Sequence, residues 1–184
     1  QGEGQMNCLV ISPTGDYLAY GIYDKTINVF RVVDGEQILT IRDHQSYVES
    51  LAFSPDGLVL ASGSNDHTVL LSSVPSGKAI GLLDGHSAGA QALSFSPDGD
   101  TLAAATGFEG DVLIWNVSSQ SLEFTLESHY ATKGISYSPR GAILATVGNN
   151  IVHLWQLENG ELLQTYQGEG QMNCLVISPT GDYL

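Results

Sequence analysis

The five histidines are the side chains best suited to acid–base or metal chemistry, but their spacing argues against both. His44, His86 and His129 recur at intervals of 42 and 43 residues. A metal ion needs its ligands in one coordination shell, whereas repeat-spaced residues lie at distant, equivalent points of successive repeats. His67 and His153 have no partner at ligand spacing. We therefore expect no metal site, and we expect the histidines to bond within their own repeats.

Other catalytic groupings are not apparent in the sequence either. The serines fall mostly in turns, so no Ser-His-Asp arrangement stands out. Aspartates and glutamates are scattered over turns, which leaves no pair to serve as general acid and base. The early glycines precede a strand rather than a helix, which argues against a phosphate-binding loop. We expect no catalytic residues and no cofactor.

Composition narrows the possible partners. The chain has 184 residues, of which 42% are hydrophobic and 14% charged, as is typical of a globular protein with a buried core. A net charge of −14 argues against nucleic acid and anionic membrane surfaces as partners, because both attract basic faces. No apolar run approaches the length of a membrane span. The sequence begins with Gln rather than Met, so we expect the natural N-terminus, where a targeting signal would lie, to be missing. The sequence therefore does not determine the cellular compartment, and we slightly favour the cytoplasm.

Internal repetition is the strongest feature of the sequence. The dipeptide Ser-Pro recurs at intervals of 42, 42, 42 and 40 residues. Residues 1–18 (the N-terminal segment) are identical to residues 167–184 (the C-terminal segment). The chain thus holds four repeats and the start of a fifth. The two cysteines, Cys8 and Cys174, occupy the same position in the two segments. If the two segments sit in equivalent places in the fold, we expect both cysteines to pack as small buried hydrophobic residues.

Each repeat carries four strand signals separated by turns. Pro presets φ in the Ser54–Gly57 turn, Asp can bond its own backbone, and Gly supplies the left-handed φ. Consecutive apolar residues in the second and third strands indicate that both faces of these strands are buried. The pattern predicts an all-β fold built from four-stranded units. In the second repeat the predicted strands are Val48–Phe53, Leu58–Gly63, Thr68–Ser73 and Ala79–Leu83.

At this level the chain resembles the WD-repeat β-propeller family. The residues that carry the resemblance are Phe53–Gly57, Leu60–Ser64, Asp66, Gly85-His86 and Trp115. The resemblance implies one propeller segment with four four-stranded blades per chain and a duplicated strand. The approximate blade bounds are 1–44, 45–86, 87–129 and 130–166, followed by the duplicate in 167–184.

The resemblance also implies a hydrogen-bond network within each blade. In the family this network joins a His before the first strand, a Ser or Thr on the second, an Asp in the next turn and a Trp on the third. No blade has the full set: Ser72 replaces Trp in the second, Ala105 and Glu109 replace two members in the third, and Ala145 and Asn149 do so in the fourth. The candidate members are His44, Ser62, Asp66, His86, Trp115, His129 and Trp155.

In the resembled family, partners dock on loops that precede the first strand and follow the second. Large aromatic residues at such positions can anchor another protein or peptide. By register, the candidate partner-binding residues are Tyr23, Tyr47, Glu49, Asn65, Phe108 and Lys133.

Four blades are fewer than the six to eight usual in the resembled family. An open arc would expose two blade faces and an unpaired edge. Two molecules could instead complete an eight-bladed ring as a twofold homodimer. Each junction would then have two copies of one strand for one position, so we expect one copy to be displaced. The function predicted is a non-catalytic interaction scaffold that self-assembles. The alternatives are a ligand-binding or enzymatic propeller using its central channel, and a monomeric four-bladed unit.

Overall fold

A computed structural model describes residues 5–107 and 110–181 of the chain. It contains sixteen strands in four four-stranded antiparallel sheets, and each sheet is a meander of consecutive strands. The fold class predicted from sequence is confirmed. No helix within the described ranges is long and apolar enough to span a membrane. The chain divides into two compact units, residues 1–90 and 91–184.

The first unit holds sheets 1 and 2 together with the first residue of β9. Sheet 1 consists of β1 (Met6–Ile11), β2 (Tyr17–Ile22), β3 (Ile27–Arg31) and β4 (Gln37–Ile41). Sheet 2 consists of β5 (Val48–Phe53), β6 (Val59–Ser64), β7 (Thr68–Ser73) and β8 (Ala79–Asp84). The core between them is aliphatic except for one phenylalanine, and its buried members are Ala19, Ile27, Val29, Ile41, Val48, Phe53, Leu60 and Val74.

The second unit holds sheets 3 and 4. Sheet 3 consists of β9 (Ala90–Phe95), β10 (Thr101–Thr106), β11 (Val112–Asn116) and β12 (Ser121–Leu126). Sheet 4 consists of β13 (Gly134–Tyr137), β14 (Ile143–Gly148), β15 (Ile151–Gln156) and β16 (Glu161–Gln167). Their shared core includes Ala103, Val112, Ile114, Leu126, Leu144 and Trp155.

The strands of the second repeat test the sequence pattern most directly. β5 and β7 have the predicted bounds, whereas β6 begins and ends one residue later than predicted and β8 ends one residue later. Leu58 belongs to the turn because its amide donates to Asp56 Oδ1 at 2.9 Å and its side chain is half exposed. β6 is buried on both faces after its first residue, as its run of apolar residues indicates.

In all four sheets the amide of the first residue of the second strand donates to the serine Oγ of the Ser-Pro turn. In sheet 2 the Ser54 hydroxyl donates to Asp56 at 2.6 Å and accepts from the Val59 amide at 2.9 Å. Gly57 has φ of +73°, a conformation that side chains with a Cβ rarely adopt. This turn sets the spacing between the first two strands of the sheet, so it fixes where the loops at their other ends lie.

Candidate functional site

The network in sheet 2 is centred on His44, which lies in the loop before β5. The ring is 3% exposed, with Nδ1 2.9 Å from Asp66 Oδ2 and Nε2 2.8 Å from Ser62 Oγ. A proton on Nδ1 lets the ring donate to the carboxylate and accept from the hydroxyl. His44 therefore lies within hydrogen-bond distance of both other residues predicted to form the network in this sheet, Ser62 and Asp66.

Asp66 connects this network to the turn between β6 and β7. Its Oδ1 accepts from both the amide and the hydroxyl of Thr68, at 3.1 and 2.6 Å. Its Oδ2 accepts from the Gln45 amide at 2.7 Å. Burial raises the pKa of Asp66, but the hydrogen bonds from Thr68, Gln45 and His44 outweigh it and lower the pKa to about 2. The carboxylate therefore stays charged and ties two loops together.

Ser72, at the position where the family pattern has Trp, is 1% exposed. Its hydroxyl has no hydrogen-bond partner among the described residues. The smaller residue leaves the His44 network without a fourth member in sheet 2. A buried hydroxyl without a hydrogen bond is unfavourable, so Ser72 does not stabilise the His44 network.

Sheet 4 corrects two of the expectations. His129 is exposed, and Ser128 takes the buried position ten residues before the Ser-Pro serine. The reason is that the chain from the buried Leu126 to Ser138 is one residue shorter than the chain from the buried Leu83 to Ser96. The expected loss of the second-strand hydroxyl at Ala145 is also wrong. Trp155 Nε1 donates to Thr146 Oγ1 at 3.0 Å. Counting eight residues from each Ser-Pro serine pairs Thr146 with Ser62, and that count would have found it.

In sheet 3, His86 and Trp115 are both 5% exposed. Burial lowers the pKa of His86 to about 4, and the nearby His67 adds to this effect. A neutral ring is therefore maintained at physiological pH. Glu109, expected to replace the network aspartate, lies outside the described residues.

The candidate partner-binding residues of the first unit converge on Tyr47. The rings of Tyr23 and Tyr47 lie 5.3 Å apart at 50°, and Tyr23 is 47% exposed. The Asn65 amide donates to the Tyr47 carbonyl at 3.1 Å. Glu49, half-buried, accepts from Asn7 Nδ2 at 3.1 Å. Tyr23, Tyr47 and Asn65 are thus in contact, and Glu49, in β5, follows Tyr47 by two residues. We call these residues the tyrosine surface (Tyr23, Tyr47, Glu49 and Asn65).

The structure describes one of the other two partner-binding candidates. Lys133 lies in the second unit, exposed, with its amide bonded to the Val147 carbonyl at 2.8 Å. Phe108 lies outside the described residues. Within the described ranges, no group of three His, Cys, Asp or Glu side chains could hold a metal ion.

The N-terminal segment forms β1, which pairs with β2 and packs against β5. Asn7 Nδ2 donates to the Val48 carbonyl at 2.8 Å, and Cys8 Sγ lies 3.8 Å from the same oxygen. Burial raises the pKa of the Cys8 thiol to about 11. The opposite face is open: Met6, Leu9 and Ile11 are 62%, 58% and 55% exposed.

The C-terminal segment lies along sheet 4 and forms no strand within its described residues, 167–181, beyond Gln167 at the end of β16. The Met172 amide donates to the Asn149 carbonyl, and the Ile177 amide donates to Ser136 Oγ at 3.3 Å. Cys174 is exposed and Cys8 is half-buried, so the two segments do not sit in equivalent places, which was the condition for burying both cysteines. The reason is the missing neighbour: Cys8 packs against β5, and no described strand covers Cys174.

The two segments bury opposite faces of the same sequence. In β1 the half-buried residues are Asn7, Cys8 and Val10. In the C-terminal segment the equivalents of these three residues are exposed, and the half-buried residues are Met172, Leu175 and Ile177. Those are the equivalents of Met6, Leu9 and Ile11. Each segment therefore leaves open the face that the other covers.

A repeated four-stranded antiparallel meander of about 42 residues defines the β-propeller class of proteins. Residues 9–89 match the family model "Anaphase-promoting complex subunit 4 WD40 domain", and residues 77–116 and 120–156 match "WD domain, G-beta repeat". The chain belongs to the WD-repeat family.

The solved structure of U3-55K shares the fold of this chain. The two superpose with a TM-score of 0.85 at 24% sequence identity. The match covers 95% of this chain and 55% of that one, so this chain spans about half the length of its structural relative. No curated protein matches the chain in sequence.

Proposed function

We propose that this protein is a non-catalytic interaction scaffold whose four sheets form half of an eight-bladed ring completed by a second molecule. The observation that supports this most is the complementary exposure of the two identical segments. The open face of β1, with Met6, Leu9 and Ile11, has the same sequence as the face that the C-terminal segment lays against β13. Two molecules related by a twofold axis would bury this face at two equal junctions.

Hydrophobic burial supplies the driving force for this association. Full burial of a Met, Leu or Ile side chain contributes about 1.5–3 kcal/mol, and all three are more than half exposed in β1. Charge opposes association, because each chain carries a net charge of −14. Salt screens such repulsion over roughly 10 Å at 0.1 M, so association should strengthen with ionic strength.

The mass in solution tests the ring. Light scattering on a sizing column across a dilution series should give twice the chain mass of 19.6 kDa at micromolar concentration. A chain that stays monomeric at every concentration and salt would overturn the proposal. A ladder of larger species would also count against it, because it would show head-to-tail linkage without closure.

The tyrosine surface supports a second role, binding of another protein or peptide. A tilted aromatic pair with one ring half exposed gives rigid apolar area, and Glu49 beside it favours a basic residue in the partner. Selection of a displayed peptide library on the wild-type protein should enrich a shared motif. That enrichment should disappear on Tyr23→Ala. Equal enrichment on both proteins would exclude this surface.

A further inference from the structure

We infer that the C-terminal segment is a placeholder on the β13 edge of sheet 4, and that β1 of a second molecule displaces it. This inference rests on the proposed ring and adds which of the two copies is used. It assigns the edge lined by Gly134 and Ser136 as a docking surface for the Met6, Leu9 and Ile11 face of another copy of this chain.

The C-terminal segment is held less firmly than its N-terminal counterpart. β1 has five registered partners in β2, from Met6 opposite Ile22 to Ile11 opposite Leu18. The equivalent residues 172–177 belong to no strand. Strand pairing satisfies backbone amides that would otherwise depend on water or side chains, as at Ile177. Displacing residues 172–177 from sheet 4 therefore disrupts fewer regular contacts than removing β1 from sheet 1.

The C-terminal segment also lies out of the register seen at other neighbouring first strands. Cys8 lies beside Val48, and the Ser50 hydroxyl donates to the Ala90 carbonyl at 2.9 Å. Both contacts join the residue four before one Ser-Pro to the residue six before the next. Gly134 should then meet Met172.

Gly134 instead meets a later part of the segment. A Cβ on Gly134 would lie 3.2 Å from the Cα of Cys174, two residues beyond the position that the other junctions favour. The β13 edge thus holds the expected sequence in a register that differs from that of the other junctions.

The occupant that fits this edge better is the same strand with its own sheet attached. β1 arrives already paired with β2, so its backbone is satisfied before docking. Its open face has the sequence that the edge already accepts, since Met172, Leu175 and Ile177 are half-buried there. A placeholder that covers the edge for part of the time raises the apparent dissociation constant, which equals the intrinsic constant divided by the fraction of molecules whose edge is free.

Matched aspartate substitutions at one position of the two segments test the inference. Leu175→Asp should loosen the placeholder and lower the dimer dissociation constant by about tenfold or more. Leu9→Asp should raise it by about a hundredfold, because the carboxylate would be buried at both junctions. Val176→Asp is the control for added charge, since this side chain is 72% exposed. Sedimentation equilibrium of the full-length variants measures all three constants.

The outcomes separate the inference from the ring. One outcome is that Leu9→Asp weakens the dimer and Leu175→Asp fails to strengthen it. The ring then stands and the placeholder is excluded. If Leu175→Asp and Val176→Asp both weaken it, the C-terminal segment is itself the strand that closes the junction. If neither wild type nor Leu175→Asp associates at any concentration, the proposed ring fails as well.

Hydrogen exchange gives a second measurement that does not depend on a substitution. On dimerisation of the wild-type chain, amides of 169–181 should exchange faster and those of Gly134–Tyr137 more slowly. Protection of both stretches on dimerisation would overturn displacement, because it would mean that the C-terminal segment stays on the edge.

Discussion

The N-terminal and C-terminal segments have the same eighteen residues and different structures. Residues 6–11 form a strand between β2 and β5, whereas residues 172–177 lie along sheet 4 without strand pairing. The half-buried residues of one are the exposed residues of the other. The comparison teaches that this sequence can pack against a neighbouring strand on each of its two faces. In the single chain, each copy packs on only one face.

The largest expected contrast between the segments is in thiol reactivity. Cys8 is half-buried with its pKa raised to about 11, whereas Cys174 is exposed. Because the thiolate is the reacting form, Cys8 should alkylate about a hundredfold more slowly than Cys174 near pH 8. Peptide mass spectrometry over a time course distinguishes the two sites. Similar rates would mean that β1 does not remain packed against β5.

Gly21→Ala should weaken the N-terminal environment alone. A Cβ there would lie 2.8 Å from Cys8 Sγ and 2.9 Å from Val48 Cβ, so β1 or β5 must shift. We expect a loss of about 1–3 kcal/mol in the free energy of unfolding, typical of overpacking. Gly170→Ala in the C-terminal segment is the control, since nothing lies within 4 Å of its added Cβ. Equal losses for the two variants in urea titrations would contradict the expected difference in packing between the two segments.

A second identical motif in two settings gives a pH-dependent contrast. Asp24 and Asp66 both accept from the threonine two residues later, at 2.6 Å, but only Asp66 also bonds a histidine. The folded pKa of Asp66, about 2, lies below its unfolded value of about 3.9. Its stabilisation is thus complete above about pH 5 and is lost as the pH falls through 2.

This linkage should appear in the pH profile of unfolding. Wild type should lose about 1–2 kcal/mol more than Asp66→Asn as the pH falls from 5 to 2. Asp24→Asn provides the matched comparison and should lose stability between pH 5 and pH 2 as wild type does. Thermal or urea unfolding at several pH values measures the free energy of unfolding of each protein. A profile of Asp66→Asn parallel to that of wild type would mean that protonation of Asp66 does not cause the loss of stability in acid.

The smallest expected contrast comes from truncating the valine at the same position of each segment to alanine. Val10 packs against the core of the first unit, whereas Val176 is 72% exposed. Val10→Ala should lower the free energy of unfolding by about 1 kcal/mol, and Val176→Ala should lower it by less than about 0.5 kcal/mol, as measured by urea titration. If dilution into the monomer range makes the two costs equal, the packing of β1 depends on association.

Much of the fold could be predicted from the spacing of local signals. The Ser-Pro turns and the apolar runs predicted the β5 and β7 bounds, because turn chemistry and strand burial act over a few residues. His44, Ser62 and Asp66 came from the family pattern, and the structure places them in contact. Ser128 was missed because the chain from Leu126 to Ser138 is one residue shorter than from Leu83 to Ser96, which moves the histidine out of the buried position. Thr146 follows the turn at the regular spacing, so counting eight residues from Ser138 would have found it.

The two segments separate what the sequence determines from what the tertiary structure decides. Both form the Ser-Pro-Thr-Gly turn: Gly15 and Gly181 donate to Ser12 and Ser178 at 2.8 Å, with φ of +79° and +81°. The turn depends only on bonds among its own four residues, so identical letters give identical geometry. A strand depends on a neighbour to accept and donate its backbone hydrogen bonds. β2 follows the first copy and provides that neighbour, whereas the described part of the second copy has no such strand beside it, so only the first copy forms one.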